Sequence, residues 1–402
     1  MSAKAHSCEN PVETLEVKIP ERRRTSFRER WRERLCLFDA PYFQTGCLFS
    51  VWITELFRNW SRIHWRCWLS VPLICLLTAL GTGLHWISRL CFSRRIERRP
   101  MKGAPLFVLG HWRTGTTLLH ELLALDERFA YPTFYECSFP HHFLLTETLV
   151  TRLTRRFFPL KRPQDDVMFT LSSPGEDEMG LAGLGAGSIY QAAMFPSRTQ
   201  EKIDFLDLLE LPPAKLDHWK RVFLRYLREL DYRHGKPLVL KSPPHTARVK
   251  TLVSMFPEAK FVNIVRDPRV VFSSTLKMWN SLTRVLSLEL IGDWNVEGPL
   301  IENYRRMHQR LSEARPLVPA GHFSDVRYED LVRDPLGEME RIYRELGLGE
   351  FEAVRPKIED YFSRSREVRA GKYELTPEQK QKVERGLAEV IEETGYAVPG
   401  VS

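Results

Sequence analysis

The pattern of hydrophobic and polar positions changes near residue 104. Beyond it, apolar runs of strand length alternate with amphipathic stretches of helix length. Strands are predicted at 105–109, 237–241, 260–265 and 322–328. Helices are predicted at 116–125, 214–234 with a stop at Gly235, 246–255, from about 269, and 335–346. This alternation predicts an α/β fold with a parallel sheet flanked by helices, and ligands bind such sheets at the carboxyl ends of the strands.

The first hundred residues have a different pattern. The stretch CWLSVPLICLLTALGTGLHWIS at 67–88 contains no Asp, Glu, Lys or Arg, and as one helix it would be about 33 Å long, enough to cross a bilayer core. Arginines and tryptophans flank it, whereas Pro72, Gly81, Gly83 and His85 argue against a membrane span. Three interpretations stay open: a spanning helix, a helix lying in the membrane interface, and a buried helical layer.

Charge and composition strengthen the membrane hypothesis. The whole formal charge of +8 belongs to residues 1–100, and six of the ten tryptophans lie there as well. A basic, aromatic region suits a membrane surface, and no nucleic-acid module is visible. We therefore expect a helical N-terminal region over 1–100, membrane contact through 41–99, and no nucleic-acid partner. Seven cysteines, an odd number without metal-ligand spacing, indicate reduced thiols and a cytosolic active domain. Together with the basic N-terminal region, this predicts a cytoplasmic protein that is associated with a membrane.

One short stretch resembles a phosphate-binding loop. In FVLGHWRTGTTLLH at 107–120, a strand enters a glycine loop that opens a helix, so backbone N–H groups and the helix dipole face an anion. Thr116 stands where a nucleotide triphosphatase carries lysine, and Arg113 is the expected source of positive charge. The anion-binding residues expected here are Gly110, Arg113, Thr114, Gly115, Thr116 and Thr117.

A second motif follows the strand at 260–265. In KFVNIVRDPRVVFSS, Arg266 ends the strand and Ser274 lies two turns into the next helix. An arginine and a hydroxyl so placed could bind one phosphate together. The alternative is an arginine that is simply paired with Asp267.

Together these motifs resemble the sulfotransferase superfamily, which uses 3′-phosphoadenosine 5′-phosphosulfate (PAPS). RTGTT matches its loop for the 5′-phosphosulfate, and Arg266 with Ser274 matches its 3′-phosphate element. LKSPPHTARV resembles the bacterial-type branch, and VRYEDLVRDP resembles the element whose tyrosine lies by the adenine, here Tyr328. The resemblance covers about 104–375 and implies a P-loop-type parallel sheet, a sulfotransferase domain over 101–400 and a hydroxyl- or amine-bearing acceptor.

The sequence departs from the family pattern at one position and in one late loop. Leu118 stands where many cytosolic members have a tryptophan beside the adenine, and a late basic loop is only weakly matched by SREVRAGKY, with Arg369, Gly371 and Lys372. We include Lys372 among the expected cofactor ligands. A sulfuryl group carries less charge than a phosphoryl group, so no metal is expected.

Sulfuryl transfer needs a cation on the breaking bond and a base on the acceptor hydroxyl. Arg113 and Lys241 are the expected cations. The base stays open between Glu136, His245 and the acidic turn of Glu176 and Asp177.

Competing functions are an ATP-dependent P-loop kinase and an inactive, membrane-docked scaffold that binds PAPS. The missing loop lysine argues against the kinase, and intact Arg113, Arg266 and Ser274 argue against the scaffold. The predicted acceptor region, 131–232, contains the apolar, glycine-rich GLAGLGAGSIYQAAMF, which favours a lipid slightly over a carbohydrate or another small molecule.

Overall fold

The computed structural model describes residues 42–154, 160–161, 168–290, 296–364 and 375–396. Its strands, in chain order, are β1 Leu106–Leu109, β2 Leu160–Lys161, β3 Met168–Phe169, β4 Val239–Lys241, β5 Lys260–Val265 and β6 Phe323–Arg327. Its α-helices are α1 Tyr42–Thr45, α2 Phe49–Asn59, α3 Val71–Glu97, α4 Thr116–Ala124, α5 Phe134–Ser138, α6 Phe143–Thr154, α7 Asp177–Gly183, α8 Pro213–His234, α9 Val249–Met255, α10 Pro268–Leu286, α11 Glu297–Ala314, α12 Tyr328–Arg333, α13 Pro335–Leu346, α14 Arg355–Arg364, α15 Pro377–Gly386 and α16 Ala388–Glu393.

A four-stranded parallel sheet in the order β4–β1–β5–β6 forms the centre of the molecule. Alternate side chains of its strands point to opposite faces. Phe107, Leu240 and Phe261 pack with α8 residues on one face, and Val108 and Val262 pack with α4 and α13 residues on the other. Because both faces of the sheet are covered, the strands consist of nearly continuous apolar residues. The predicted α/β fold is confirmed.

The turn after β4 differs from the prediction. A helix was expected over 246–255, but the chain forms a 3-10 helix over Pro243–Arg248 before α9 begins. Two consecutive prolines start this segment, and a proline lacks the backbone N–H that an α-helix interior needs. The 3-10 helix is entirely buried, and it lies directly against the glycine loop.

Helix α3 corresponds to the apolar stretch, but it starts and ends later than the predicted 67–88. Pro72 lies in its first turn rather than in its interior, where a proline is well tolerated. By length and composition, the helical stretch Cys67–Glu97 qualifies as a candidate membrane span. One side of α3 is nevertheless buried against the protein, through residues at helical spacing: Val71, Ile74, Thr78, Gly81, Ser88 and Ile96.

Polar and apolar contacts attach the N-terminal helices α2 and α3 to the rest of the protein. Trp52 of α2 is 1% exposed and packs in a cluster with Met194 and Phe195. At the far end, Arg225 of α8 donates to Ser93 at 3.0 Å. These helices therefore pack on the rest of the protein, while the predicted domain boundary at residue 100 stays a prediction.

Two glycines of α3 give a direct test of this packing. A Cβ added at Gly81 would lie 2.5 Å from Nε2 of the buried His141, whereas one at Gly83 meets nothing within 4 Å. We expect Gly83→Ala to stabilise the protein by about 0.5–1 kcal/mol, since alanine favours helix. Gly81→Ala should destabilise it by about 1–3 kcal/mol through overpacking. Urea unfolding of both variants measures this, and equal effects would show that α3 does not pack on His141.

Candidate active site

The glycine loop between β1 and α4 depends on unusual backbone angles. Gly110 and Gly115 have φ of +143° and +106°. A Cβ on Gly110 would lie 2.7 Å from the Ile264 carbonyl oxygen, and one on Gly115 would lie 2.4 Å from Cδ2 of Tyr328. Arg113 also has a positive φ, of 69°, which costs a non-glycine residue about 1–2 kcal/mol. The fold tolerates this strain at the position expected to meet an anion.

The hydroxyl groups of Thr246 and Thr114 hold the backbone of the loop in place. Thr246 accepts from the Gly110 N–H at 2.8 Å and donates to the Gly110 carbonyl at 3.1 Å. Thr114 donates to the His111 carbonyl at 2.8 Å, so its side chain closes the loop from inside. His111 stacks on Tyr304 with centroids 4.3 Å apart, and burial lowers its pKa to about 4. A neutral His111 therefore supports the loop.

Predicted cofactor residues from three other segments meet the loop. Arg113 Nε donates to Ser274 Oγ at 2.9 Å. Arg266 Nη1 lies 3.4 Å from the Arg113 carbonyl oxygen, and its Cζ lies 4.0 Å from the centre of the Tyr328 ring. Tyr328 in turn covers Gly115. Two guanidinium groups, a hydroxyl and an aromatic ring thus converge at the start of α4.

Asp267 does not neutralise this cluster. It caps α10 by accepting from the Arg269 N–H, and its carboxylate pairs with the Arg269 guanidinium at 2.9 Å. Within the described residues, Arg266 forms no ion pair with an acidic side chain. Arg266 therefore contributes a positive charge that no described acidic side chain neutralises, as an anion site requires.

Beside the loop, the carboxylate of Glu176 connects two polar side chains. Lys241 ends β4, where its neighbour on β1 is Val108, and its Nζ donates to Glu176 Oε1 at 2.5 Å. Tyr190 donates to the other oxygen of Glu176 and accepts from the Trp112 indole at 3.2 Å. Burial and the nearby Glu176 raise the pKa of Tyr190 well above its usual value, so this hydroxyl stays protonated.

The neighbouring acids, Asp177 and Glu178, point inward instead. Asp177 lies 2.6 Å from His245 Nε2 and accepts from Ser242 at 2.9 Å. Glu178 pairs with Arg248 at 2.9 Å. The four charged or ionisable members of these two pairs are all 0% exposed. Burial raises the pKa of Asp177, but His245 and Ser242 outweigh it and hold that pKa below its usual range.

Glu136 is also fully buried. It forms a capping box with Thr133, whose backbone N–H donates to Glu136 Oε2 at 2.7 Å, and its carboxylate lies 2.9 Å from His234 Nε2. His141 packs against Gly81 of α3, and His142 contacts Thr146 at 2.8 Å.

The structure thus brings together some predicted residues and separates others. The loop with Arg113, Arg266, Ser274 and Tyr328 forms one group, with Lys241 and Glu176 beside it. Thr116 is buried and Thr117 half-buried at the start of α4. Lys372 lies outside the described residues. Trp112 and Tyr190 were missed, and the only sequence signal for them was their position in the loop and in the predicted acceptor region.

The chain matches known proteins over most of its length. The model of a sulfotransferase family matches residues 105–352. The omega-hydroxy-beta-dihydromenaquinone-9 sulfotransferase Stf3 of Mycobacterium tuberculosis is 37% identical over 93% of this chain and 95% of its own length. Human carbohydrate sulfotransferase 6 is 33% identical over 25% of this chain.

Solved structures share the fold. The sulfotransferase STF9 of Mycobacterium avium gives a TM-score of 0.63 at 20% identity, covering 81% of this chain and 85% of its own. STF1 of Mycobacterium tuberculosis gives 0.54 at 20% identity, covering 90% and 92%.

The buried Asp177–His245 pair predicts acid sensitivity. Because the folded-state pKa of Asp177 is depressed, its carboxylate stabilises the fold above the unfolded pKa of about 3.9, and this stability is lost as the pH falls through the folded pKa. We expect Asp177→Asn to lower the free energy of unfolding at pH 7 by about 2–4 kcal/mol and to reduce the loss of stability below pH 4. Urea unfolding at both pH values measures this.

The matched control is Asp330→Asn, which removes the exposed pair with Arg333. That substitution should cost less than about 1 kcal/mol. Equal losses in the two variants would contradict a special contribution from the buried pair.

Proposed function

Since this chain belongs to the sulfotransferase family, we propose that it transfers the sulfuryl group of PAPS to the hydroxyl group of a lipid. The reaction class follows from the family match. The donor, the acceptor and the roles of individual residues are inferences from the site.

The donor is inferred from the group formed by Arg113, Arg266, Ser274 and Tyr328, and this convergence is the observation that carries the proposal. PAPS has two anionic ends and an aromatic base. Arg266 and Ser274 are suited to the 3′-phosphate, because arginine and a hydroxyl both donate to phosphate oxygens. Tyr328, already stacked on Arg266, offers its ring to the adenine. The N–H groups of the loop, with Thr116 and Thr117, are suited to the 5′ end.

PAPS would supply the sulfuryl group and the leaving phosphate. Arg113 would stabilise the negative charge that develops on the oxygen between phosphorus and sulfur. Its bond to Ser274 orients the guanidinium before the reaction starts. Lys241 adds a second positive charge at the end of β4, next to the loop.

Glu176 is the proposed general base. Its side chain is 27% exposed, whereas those of Glu136 and His245 are fully buried and bonded within the core. A carboxylate has about four acceptor positions, so Glu176 can hold Lys241 and Tyr190 and still accept from an incoming hydroxyl. Protonated Tyr190 fixes the carboxylate beside Trp112 of the loop.

The acceptor side is apolar. Trp112, Ile189 and Met278 form a buried cluster, against which Tyr190 and Trp279 pack. The relative Stf3 is named for a hydroxylated menaquinone, a lipid. Both observations favour a lipid hydroxyl, and the arginine-rich flanks of α3 favour action at an anionic membrane surface.

Nucleotide binding tests the donor. In thermal-shift titrations of the full chain, we expect 3′-phosphoadenosine 5′-phosphate to raise the melting temperature and ATP with Mg²⁺ not to do so, since a ligand stabilises the state that binds it. Arg266→Ala should reduce the preference for this nucleotide over AMP by about tenfold or more, and exposed Arg333→Ala should leave it unchanged. A shift with ATP alone would indicate a kinase. Binding without any turnover would indicate a scaffold.

Substitution of the three candidate bases tests the acid–base assignment. Glu176→Gln should lower the single-turnover rate constant of transfer by about 10²–10⁴-fold while nucleotide affinity stays unchanged. Glu136→Gln and His245→Gln should mainly lower the melting temperature, because both residues are bonded in the core. Single-turnover transfer from PAPS to a short-chain lipid alcohol is the measurement. If Glu136→Gln or His245→Gln abolished turnover in a folded protein and Glu176→Gln did not, the assignment would be wrong.

A further inference from the structure

We propose that the outward side of α3, together with part of α6, docks in the plane of an anionic bilayer leaflet. The surface, called here the leucine face, consists of large apolar side chains that are 42–85% exposed: Leu69, Leu73, Leu76, Leu80, Ile87 and Leu90, with Leu149 and Leu153 of α6. Within the described residues no side chain covers it.

The spacing shows that the members on α3 lie on one side of that helix. The members on and just before α3 recur at intervals of three, four and seven residues, which places them on one side of a helix. Helix α6 contacts α3 and adds Leu149 and Leu153, which are 60% and 67% exposed. The α3 part alone, from Leu73 to Leu90, is about 26 Å long. A surface of this size is unusual on a protein that meets only water.

Aromatic residues extend the leucine face at both ends of the apolar stretch. Trp60, Trp65 and Trp68 precede α3, and Trp86 lies in its second half; their exposure ranges from 40% to 68%. Arg66 and Arg89 stack on Trp65 and Trp86, at 5.2 and 5.9 Å. Amphipathic rings of this kind prefer the headgroup level of a membrane.

Charge complementarity identifies the partner. Residues 60–99 contain seven arginines and a single acidic residue, Glu97. Arg62 and Arg66 lie before α3, and Arg94, Arg95 and Arg98 lie near its end, all of them exposed. An apolar stripe bordered by arginines fits an anionic lipid surface, where each basic residue contributes about 1 kcal/mol. A soluble acidic protein would match the arginines but not the leucines.

The opposite side of α3 decides between lying on the membrane and crossing it. That side holds Thr78, Gly81 and Ser88 against the protein, and Gly81 packs on His141. A crossing helix would have to break these contacts and leave the buried residues beneath it exposed. An orientation in the plane keeps them and buries only the leucine face.

The docked orientation places one end of the leucine face near the active site. The His64 N–H donates to the Leu288 carbonyl at 2.8 Å, and the Leu288 N–H donates to the Met194 carbonyl at 2.9 Å. Met194 is four residues from Tyr190, which holds Glu176. The tryptophan-rich end is therefore the end nearest to the site, so a lipid in the leaflet would approach Tyr190 from there. This last step rests on the proposed lipid acceptor, whereas the docking itself does not.

Sedimentation of the full chain with vesicles tests the docking. We expect binding to vesicles of phosphatidylcholine and phosphatidylglycerol, weaker binding to phosphatidylcholine alone, and release by high salt or alkaline carbonate. Leu76→Ser with Leu90→Ser should weaken binding at least about tenfold. The control pair Leu317→Ser with Val332→Ser, 51% and 45% exposed in the native protein, should bind as the native chain does.

Several outcomes would overturn the proposal. These are no binding by the native chain, equal binding by both double variants, or resistance to carbonate extraction, which indicates a spanning helix. If Leu76→Ser with Leu90→Ser instead converted a dimer to a monomer by size-exclusion chromatography, the leucine face would pair with a second copy. Nucleotide-induced thermal shifts, measured on the same variants, keep a failure of docking separate from a failure of the proposed function.

Discussion

The site depends on a buried layer of paired charged and hydrogen-bonding side chains between α7 and the turn that follows β4. Asp177 with His245 and Glu178 with Arg248 are fully buried, and a buried charge is tolerated only when it is paired and hydrogen-bonded. Arg248 also lies over the Trp219 ring at 5.1 Å, inside the hydrophobic core. The two segments can therefore come together in essentially one arrangement, because any slip would leave charges unpaired in the core.

That arrangement connects the two parts of the proposed active site, the glycine loop and Glu176. The same 3-10 helix that carries His245 and Arg248 also carries Thr246, which fixes Gly110 at the start of the loop. The residue before α7 is Glu176, which reaches Lys241 at the end of β4. The proposed anion-binding loop and the proposed base Glu176 are thus both held in place by these two buried segments. Such support from buried neighbours positions a reactive group without involving the reacting atoms.

The sequence was informative where function follows from local pattern. Short motifs predicted the strands of the sheet and the glycine loop. They also predicted four residues that the structure brings together: Arg113, Arg266, Ser274 and Tyr328. The base could not be chosen in this way, because Glu136, His245 and Glu176 all occur in plausible stretches and differ in burial, which depends on tertiary packing. Likewise, the apolar stretch at 67–88 predicted a helix but not which side of that helix is buried. Leucines and small residues are both spread along the stretch, so its composition does not distinguish the buried side from the exposed side.

Gly81 links the interior of the protein to its outer surface. A helix turns by 100° per residue, so the angle at which α3 is seated decides which of its side chains point outward. The space left by the missing side chain at Gly81 receives the ring of His141, and together with the other buried residues of α3 this contact fixes that angle. A buried glycine thereby helps to determine which leucines of α3 are exposed, and the proposed docking surface depends on a position that lies on the opposite side of the helix.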